Sequence, residues 1–454
     1  MTKKMTEGNP LKLILFFAFP LLIGNIFQLL YGVVDTIIVG RTIGVNALAA
    51  VGSTASITFL VIGFAVGSSS GLSIITSQRF GAGDEEGVKH SVATSSVIAL
   101  MITVLLTAIT VPFIRQLLVL MRTPPEIIED AYSYIVVIMA GIFALMLFNL
   151  LSNMIRALGD SRTPLIFLAI ACVINIVLSF FFILVLGMGV AGCGYATVIA
   201  QLASALMCLI HIKRKLPILH VKQHHFRISK EDFIQHIRMG IPMGLQMSII
   251  AIGALILQFV LNSLGPTAVA SFTSSQRIDQ IGTMPLHSFG LATGTFVAQN
   301  FGAGKLDRIR MGVRQIAVVA VVFSLVSGTM LFFFGRNVGA LFVGHEAVEV
   351  LDKVQQYLRI NGLFYWVLAL LFVFRFSIQG LGNSTMPLIT GAIELICRSF
   401  AGLVLAASFG FIGAVWSGPL AYVGAGIPLT ITFVYMIRKL NRHEKEHMER
   451  GFLT

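Results

Sequence analysis

The stretch LILFFAFPLLIGNIFQLLYGVVDTIIV, residues 13–39, decides the fold class of this chain. This run is long enough to cross a lipid bilayer as a tilted helix, and no charged side chain precedes Asp35 within it. A carboxylate at membrane depth is costly, so such residues usually face a cavity or a partner and mark ion or proton pathways. Gln28 and Tyr31 share the helical face of Asp35 and extend it into a polar stripe. The alternative is that Asp35 lies close to the helix end and reaches water.

The composition of the whole chain supports a membrane setting. Of 454 residues, 56% are hydrophobic and 11% are charged, which leaves too little polar surface for a water-soluble globule of this size. The net charge of +12 is typical of basic cytoplasmic loops beside anionic membrane lipids, and we expect no nucleic-acid partner. The four cysteines lie in apolar segments without metal-ligand spacing, so we expect packing roles and no disulfide. The first apolar run is too long for a cleavable signal peptide.

Twelve apolar runs, bounded by charged residues or by proline and glycine, predict twelve transmembrane helices. They cover residues 13–39, 46–77, 88–114, 127–155, 164–186, 190–212, 237–262, 267–298, 310–335, 349–377, 387–408 and 411–437. Of the 32 lysines and arginines, 23 fall on the side that includes the N-terminus, five on the other side and four inside the spans. The positive-inside rule therefore predicts a multi-pass protein of the plasma or inner membrane with both termini in the cytoplasm.

One long polar connection divides the chain near its middle. We predict an N-terminal six-helix lobe at 1–212, a cytoplasmic linker loop at 213–236, a C-terminal six-helix lobe at 237–438 and a cytoplasmic tail at 439–454. The connection is rich in histidine, but no cysteine or compact carboxylate shell accompanies the imidazoles. We therefore favour a solvated basic loop at the membrane surface and predict no metal site.

The two halves of the chain repeat each other at a nearly constant spacing. The matched segments are Gln78-Arg-Phe-Gly-Ala-Gly83 and Gln299-Asn-Phe-Gly-Ala-Gly304, Ala157-Leu-Gly-Asp-Ser-Arg-Thr-Pro164 and Gly380-Leu-Gly-Asn-Ser-Thr-Met-Pro387, Pro20 and Pro242, and Gly189-x-x-Gly192 and Gly410-x-x-Gly413. Six spans per half is an even number, so both halves enter the membrane from the same side and the repeat is parallel. Such pairs of bundles commonly enclose a central site and expose it alternately, which indicates a transporter.

These residues also carry a family resemblance. The opening Glu7-Gly-Asn-Pro10, the Gln28-x-x-Tyr31-x-x-x-Asp35 pattern and the duplicated motifs together resemble the multidrug and toxic compound extrusion (MATE) family over essentially the full length. The resemblance implies an all-α polytopic membrane protein with twelve transmembrane helices in two six-helix lobes related by a parallel repeat. It also implies efflux of amphipathic, often cationic organic compounds in exchange for inward H⁺ or Na⁺, by a protein that needs no other cofactor and functions as a monomer.

The resemblance assigns the cation-coupling residues one at a time. Asp35 matches the family's first-helix aspartate, whose protonation or ion binding couples to substrate release in the family. Many members carry Asn-x-x-x-Asp in the fifth helix; here Asn175 is present, but Ser179 stands at the second position. Thr197 in the sixth helix matches a further polar member of this group. Because Na⁺ prefers several negative oxygen ligands, the missing carboxylate favours coupling to protons.

Polar residues elsewhere are candidates for the substrate cleft. Another branch of the family places an acidic residue in the seventh helix, but Pro242 to Asn262 contains none, so we predict that this second cation site is absent. The cleft candidates are Gln28, Tyr31, Gln246, Gln258 and Asp279.

The C-terminal half contains further charges within its predicted spans. Glu394 and Arg398 are four residues apart, the favourable order for an ion pair within one helix, and we predict a structural role for them. Asp279 belongs either to a structural network or to a cavity where it attracts a cationic substrate. Glycines at helical spacing, such as Gly63, Gly67 and Gly71, predict close packing of helices.

Other function classes lack their motifs. The chain contains no G-x-x-x-x-G-K-[ST] loop and no soluble domain large enough for a nucleotide-binding fold, so an ion gradient is the expected energy source. The sequence shows no paired carboxylates and no His/Cys arrangement of the kind that would indicate an enzyme. The closer alternative is a lipid-linked saccharide flippase of the same superfamily, which would need arginines such as Arg277, Arg375 and Arg398 to converge on an open cavity.

Overall fold

The computed structural model describes residues 4–451, together with their side chains except at position 31 and at 443–451. Within this range the chain forms helices and turns and no strand, which confirms the predicted all-α class. The helices of the first half are α1 (Pro10–Thr42), α2 (Val45–Ala82), α3 (Glu85–Leu120), α4 (Ile128–Ala140), α5 (Ile142–Ala157), α6 (Arg162–Phe180) and α7 (Gly189–Lys215). Those of the second half are α8 (Lys230–Ser263), α9 (Pro266–Gly302), α10 (Leu306–Val343), α11 (Val348–Gly362), α12 (Tyr365–Gly380), α13 (Thr385–Phe400), α14 (Ala406–Phe409), α15 (Phe411–Val415) and α16 (Ser417–Gly451).

Every predicted span corresponds to a helix or to a pair of helices. In the described part of the chain, nine helices are long and apolar enough to cross a membrane, and up to eleven spans result if each of two bent pairs is counted as one. The pairs are α4 with α5, bent by 43°, and α11 with α12, bent by 52°. The remaining predicted span, 267–298, coincides with α9, which is long enough but less apolar and carries Arg277 and Asp279. The protein is therefore a multi-pass membrane protein.

The repeated Gln-x-Phe-Gly-Ala-Gly motif ends α2 in the first half and α9 in the second. Its last glycine has a left-handed backbone in both copies, with φ of 77° at Gly83 and 68° at Gly304. An L side chain rarely adopts this conformation, whereas glycine adopts it without steric cost. The N–H of Gly83 donates to the carbonyl of Phe80 at 3.1 Å, as in a helix-terminating turn. The motif is therefore a turn between helices.

The first compact unit spans Phe19–Ser248, and one of its hydrophobic cores lies among α2, α3, α5 and α7. The first half of α8 belongs to this unit and packs closely on α2. A Cβ atom at Gly67 would lie 2.5 Å from the Met243 carbonyl oxygen, and one at Gly71 would lie 2.6 Å from the Met239 carbonyl oxygen. The glycine spacing thus serves close helix packing, as the sequence predicted.

The second compact unit consists of Lys4–Ala18 and residues 249–451. Its leading segment is anchored at the turn that follows α9. The backbone N–H of Met5 donates to Gln299 Oε1 at 2.8 Å, and Asn300 Nδ2 donates to the Met5 carbonyl at 3.1 Å. Lys305 Nζ donates to the carbonyl of Thr6 at 3.1 Å. Both Met5 and Thr6 are buried, so the segment before α1 is an integral part of this unit.

The compact units differ from the predicted lobes 1–212 and 237–438 at their first residues. The start of α1 groups with the second unit, and the start of α8 groups with the first unit. In the first unit, Asp232 forms an ion pair with Arg79, and His236 Nε2 lies 2.8 Å from Ser91 Oγ. The leading segment of each half therefore belongs to the unit that contains the other half's copy of the Gln-x-Phe-Gly-Ala-Gly turn.

The connection between the halves is folded, and its lysines and arginines are exposed. It contains two short 3₁₀ turns, Pro217–Leu219 and Gln223–Phe226, that pack against α3. His225 is 1% exposed, and its Nε2 lies 2.9 Å from Glu86 Oε2. The buried imidazole of His225 thus has a carboxylate partner on α3, which lowers the cost of its burial.

Candidate functional site

Asp35 lies on α1 in the first unit, where α6 and α7 contribute polar side chains. The hydroxyl of Thr197 on α7 hydrogen-bonds to the Asp35 carboxyl group. The second carboxyl oxygen, Oδ1, is buried and has no hydrogen-bond partner among the described residues. A carboxylate that keeps one buried acceptor free is able to take up a proton or a cation at that oxygen.

Asn175 and Ser179 on α6 complete the predicted coupling set. Asn175 Nδ2 donates to Thr197 Oγ1 at 3.3 Å, so Thr197 links Asn175 to Asp35. Both α6 residues are fully buried. Asn175 Oδ1 has no hydrogen-bond partner in the described part of the chain, and Ser179 Oγ makes no hydrogen bond of ordinary geometry there, although it lies beside the Cys193 thiol. The structure thus brings all four predicted coupling residues together.

Asp35 has no ion-pair partner among the described residues. No lysine, arginine or histidine within the described chain forms an ion pair with it. Its titratable neighbours are Tyr134, Cys172 and Cys193, whose protonated forms are neutral. When ionised, Asp35 is therefore an uncompensated negative charge at membrane depth, which a proton or a bound cation would neutralise.

The oxygen atoms around Asp35 are of the type that hard cations bind. The carboxylate supplies one negative ligand, and the Asn175 amide oxygen with the Ser179 and Thr197 hydroxyl oxygens supplies neutral ones. A proton needs only the carboxylate, whereas Na⁺ needs several of these oxygens at once.

Sequence reasoning missed two residues of this site, Tyr134 on α4 and Cys193 on α7. Both lie close enough to Asp35 for its charge to act on them. Tyrosine and cysteine are frequent in apolar helices, so neither stands out in the sequence as Asp35 does. The repeat offered one signal, because Tyr134 and Tyr357 stand in matched positions of the two halves.

The polar cleft candidates are divided between the two compact units. In the first unit, Gln28 on α1 is exposed, whereas Gln246 on α8 is buried. The side chain of Tyr31 lies outside the described residues. In the second unit, Gln258 on α8 is exposed and donates to Asn262 Oδ1 at 2.9 Å.

Asp279 and the predicted ion pair belong to a polar network in the second unit. Tyr365 donates its hydroxyl to Asp279 Oδ1 at 2.6 Å. Glu394 forms an ion pair with Arg375 from α12 and lies 3.7 Å from Arg398 Nη2. Two of the three arginines that the flippase alternative requires, Arg375 and Arg398, are thus bound to a buried carboxylate. The third, Arg277 on α9, is exposed.

Three groups on α3 and on the connection between the halves lie close enough to hold a metal ion, namely Glu86, His224 and His225. The hydrogen bonds of His225 oppose this use. The backbone N–H of Lys222 donates to His225 Nδ1 at 2.8 Å, which places the proton of a neutral imidazole on Nε2. That N–H points at Glu86 Oε2, so the nitrogen nearest the carboxylate offers a proton rather than a lone pair. The hydrogen bond between His225 and Glu86 therefore fits a structural role, in which it holds the connection between the halves against α3.

Comparison with known proteins places this geometry in a family. The chain is 31% identical over 437 residues to the "Probable multidrug resistance protein YpnP" of Bacillus subtilis, with 94% of each chain covered. It is 24% identical to the "Multidrug export protein MepA" of Staphylococcus aureus, over 90% of this chain and 91% of that protein.

Solved structures of MATE proteins are similar to this chain over nearly its whole length. A MATE structure in complex with MaL6 superposes with a TM-score of 0.90 at 25% identity, covering 97% of this chain and 100% of the other. An outward-facing multidrug resistance MATE transporter superposes with a TM-score of 0.89 at 25% identity, covering 96% and 98%. The MatE family model matches residues 20–181 and 242–404, one copy in each half. The chain belongs to the MatE family of membrane transporters.

Proposed function

We propose that this protein is a secondary active multidrug exporter that exchanges amphipathic, often cationic organic compounds for inward H⁺ by alternating access. The observation that carries the proposal is the state of Asp35: a carboxylate at membrane depth with a free buried oxygen and no cationic partner among the described residues. One such site can hold either a proton or a positively charged compound, but electrostatics disfavours both together. Competition for one negative charge is a sufficient basis for exchange.

The names of the relatives support the substrate class. YpnP is named a probable multidrug resistance protein and MepA a multidrug export protein. We extend that activity to this chain because the similarity to YpnP covers 94% of both proteins.

The ligand set supports H⁺ as the coupling ion and leaves Na⁺ as the second choice. Ser179 provides a neutral hydroxyl where many family members carry a carboxylate, so Asp35 is the only carboxylate of the four-residue set. A single carboxylate suffices for a proton but binds Na⁺ weakly. We further propose that both termini lie in the cytoplasm, from the lysine and arginine distribution, and that the monomer is the functional unit.

Transport in proteoliposomes tests the proposal. The purified protein would be reconstituted with a fluorescent organic cation, and proton and sodium gradients would be imposed separately. We expect uptake driven by the proton gradient in the wild type and loss of that dependence in Asp35→Asn. The matched control is Asp130→Asn, which neutralises an exposed aspartate in the first turn of α4.

Three other outcomes would contradict the coupling ion, the role of Asp35 or the substrate class, respectively. Uptake driven only by a sodium gradient would replace the coupling ion. Unchanged proton dependence in Asp35→Asn would remove Asp35 from coupling. Absence of cation transport by the wild type, with transport of a lipid-linked saccharide instead, would favour the flippase.

A further inference from the structure

At the end of α7 an exposed apolar surface gives way to charge. The exposed side chains in the last turns before position 211 are apolar: Leu206, Leu209 and Ile210. The next turn presents three exposed basic side chains: Lys213, Arg214 and Lys215. Lys213 follows Ile210 by three residues, which is about 4.5 Å along a helix axis. Exposed apolar side chains on a membrane-spanning helix match lipid tails, so the basic turn lies at the level of the lipid headgroups.

The connection between the halves continues this basic turn. Lys222 and Arg227 flank the 3₁₀ turn Gln223–Phe226, Lys230 opens α8, and all three are exposed. We call six residues of the first compact unit the basic surface: Lys213, Arg214, Lys215, Lys222, Arg227 and Lys230. None of the six forms an ion pair with another described residue.

The carboxylates near the connection do not neutralise the basic surface. Glu86 on α3 lies beside His225, and Asp232 on α8 forms an ion pair with Arg79. Between residues 213 and 231, Glu231 is the only carboxylate, and it is exposed. The basic surface therefore keeps a net positive charge, which attracts a negatively charged partner.

Two exposed apolar side chains accompany the basic surface. Phe226 is 49% exposed and directly precedes Arg227, and Ile234 is 37% exposed one helical turn after Lys230. Both lie outside the predicted spans, where contact with water would be unfavourable for them. The boundary between headgroups and acyl chains accepts apolar side chains beside basic ones.

Hydrogen bonds within the connection fix the direction of Phe226. The backbone N–H of Lys222 donates to His225 Nδ1 at 2.8 Å, and the N–H of Arg227 donates to the His224 carbonyl at 3.2 Å. His225 is buried against α3, so the neighbouring Phe226 projects away from the protein. A surface that is already ordered loses little conformational entropy when it binds a partner.

We propose that the basic surface, together with Phe226 and Ile234, is a docking site for anionic phospholipids, whose headgroups contact the basic side chains while the two apolar side chains insert at the edge of the acyl region. A phospholipid provides a negative phosphate and an apolar surrounding in one molecule, whereas a soluble phosphate would leave Phe226 and Ile234 in water. The guanidinium groups of Arg214 and Arg227 are suited to paired hydrogen bonds with phosphate oxygens. This inference goes beyond the exchange at Asp35 and does not depend on it.

Quenching of an introduced tryptophan by brominated lipids tests the insertion of Phe226. The full-length protein would be reconstituted in proteoliposomes after replacement of Trp366 and Trp416 by phenylalanine, and Phe226→Trp would be added in that background. We expect phosphatidylglycerol with brominated acyl chains to quench this tryptophan more strongly than brominated phosphatidylcholine at the same mole fraction. The control Phe113→Trp replaces an exposed residue of α3 outside the basic surface and should be quenched equally by both lipids.

Native mass spectrometry of the full-length protein with each lipid tests the charges. Each basic residue near an anionic lipid contributes about fivefold to affinity, so Arg214→Gln with Arg227→Gln should lower the preference for phosphatidylglycerol over phosphatidylcholine by about 25-fold. The charge-matched control is Arg41→Gln with Arg122→Gln, which removes two exposed arginines outside the basic surface. This control should keep the wild-type preference.

Each result decides one part of the proposal. Equal quenching of Phe226→Trp by the two lipids would overturn the selectivity for anionic lipids, and absence of quenching by either would show that the surface faces water. An unchanged lipid preference in the Arg214→Gln, Arg227→Gln protein would overturn the role of the charges. If Phe226→Trp fails to fold, the two arginine variants still decide whether the basic surface binds anionic lipid. Both readouts measure lipid contact rather than transport, so they are independent of the proposed function.

Discussion

Asn175 donates its side-chain amide to the Thr197 hydroxyl across 3.3 Å, and that hydroxyl hydrogen-bonds in turn to Asp35. The two helices α6 and α7 thereby orient one hydroxyl toward a carboxylate that has no cationic partner in the described chain. Because a hydrogen bond to the ionised form favours ionisation, Thr197 helps to set how readily Asp35 takes up a proton.

Removal of the Thr197 hydroxyl should therefore alter coupling. A hydrogen bond to a charged group contributes about 1.5–3 kcal/mol, which corresponds to a change of about tenfold or more in proton affinity. In Thr197→Val we expect the pH dependence of drug transport to move to higher pH, since the ionised form of Asp35 loses a donor. Transport assays across a pH series measure this shift, and Thr197→Ser, which keeps the hydroxyl, should restore the wild-type profile. An unchanged profile in Thr197→Val would contradict the role of this bond.

Restoring a carboxylate at position 179 should change ion preference. Ser179 is buried on α6 close to the Cys193 thiol, within the site that contains Asp35. A second carboxylate adds a negative oxygen ligand, which favours Na⁺ relative to the wild-type site. We expect Ser179→Asp to gain sodium-gradient-driven transport, whereas the neutral Ser179→Asn should not. Equal sodium dependence in both variants would show that ligand charge at this position does not select the ion.

Glu394 should be essential to the stability of the second unit. It is buried, and its removal would leave Arg375 and Arg398 without their shared carboxylate partner. Breaking a buried pair typically costs about 3–5 kcal/mol, so Glu394→Gln should lower the unfolding midpoint clearly. The control is Glu349→Gln, whose exposed pair with Lys353 should contribute about 1 kcal/mol or less. Similar unfolding midpoints for the two variants would contradict the structural role of Glu394.

Close packing of α2 on α8 predicts unequal effects of adding a methyl group along α2. A Cβ atom at Gly67 would lie 2.5 Å from the Met243 carbonyl oxygen, so Gly67→Ala has to push the helices apart at a cost of about 1–3 kcal/mol. At Gly52 no atom lies within 4 Å of such a Cβ, and Gly52→Ala should be neutral or stabilising. Thermal unfolding of both variants measures the difference, and equal midpoints would argue against this packing.

The sequence by itself determined the helical membrane class, the parallel repeat and the position of Asp35. A long apolar run spans a bilayer in any context, and a carboxylate inside it is anomalous whatever surrounds it. Asn175, Ser179 and Thr197 could be named only through family resemblance, because buried amides and hydroxyls are common in membrane helices. The spacing of Glu394 and Arg398 predicted their proximity since both lie on one helix.

Only the tertiary structure decided which residues meet across helices. It brought Tyr134 and Cys193 to Asp35 and placed Arg375 on Glu394. It also placed the start of α1 in the second compact unit and the start of α8 in the first. The predicted lobe boundaries did not anticipate this exchange. The physical reason is that hydrophobic periodicity and charge spacing act within one helix, whereas the partner of a buried polar group depends on which helix faces pack together.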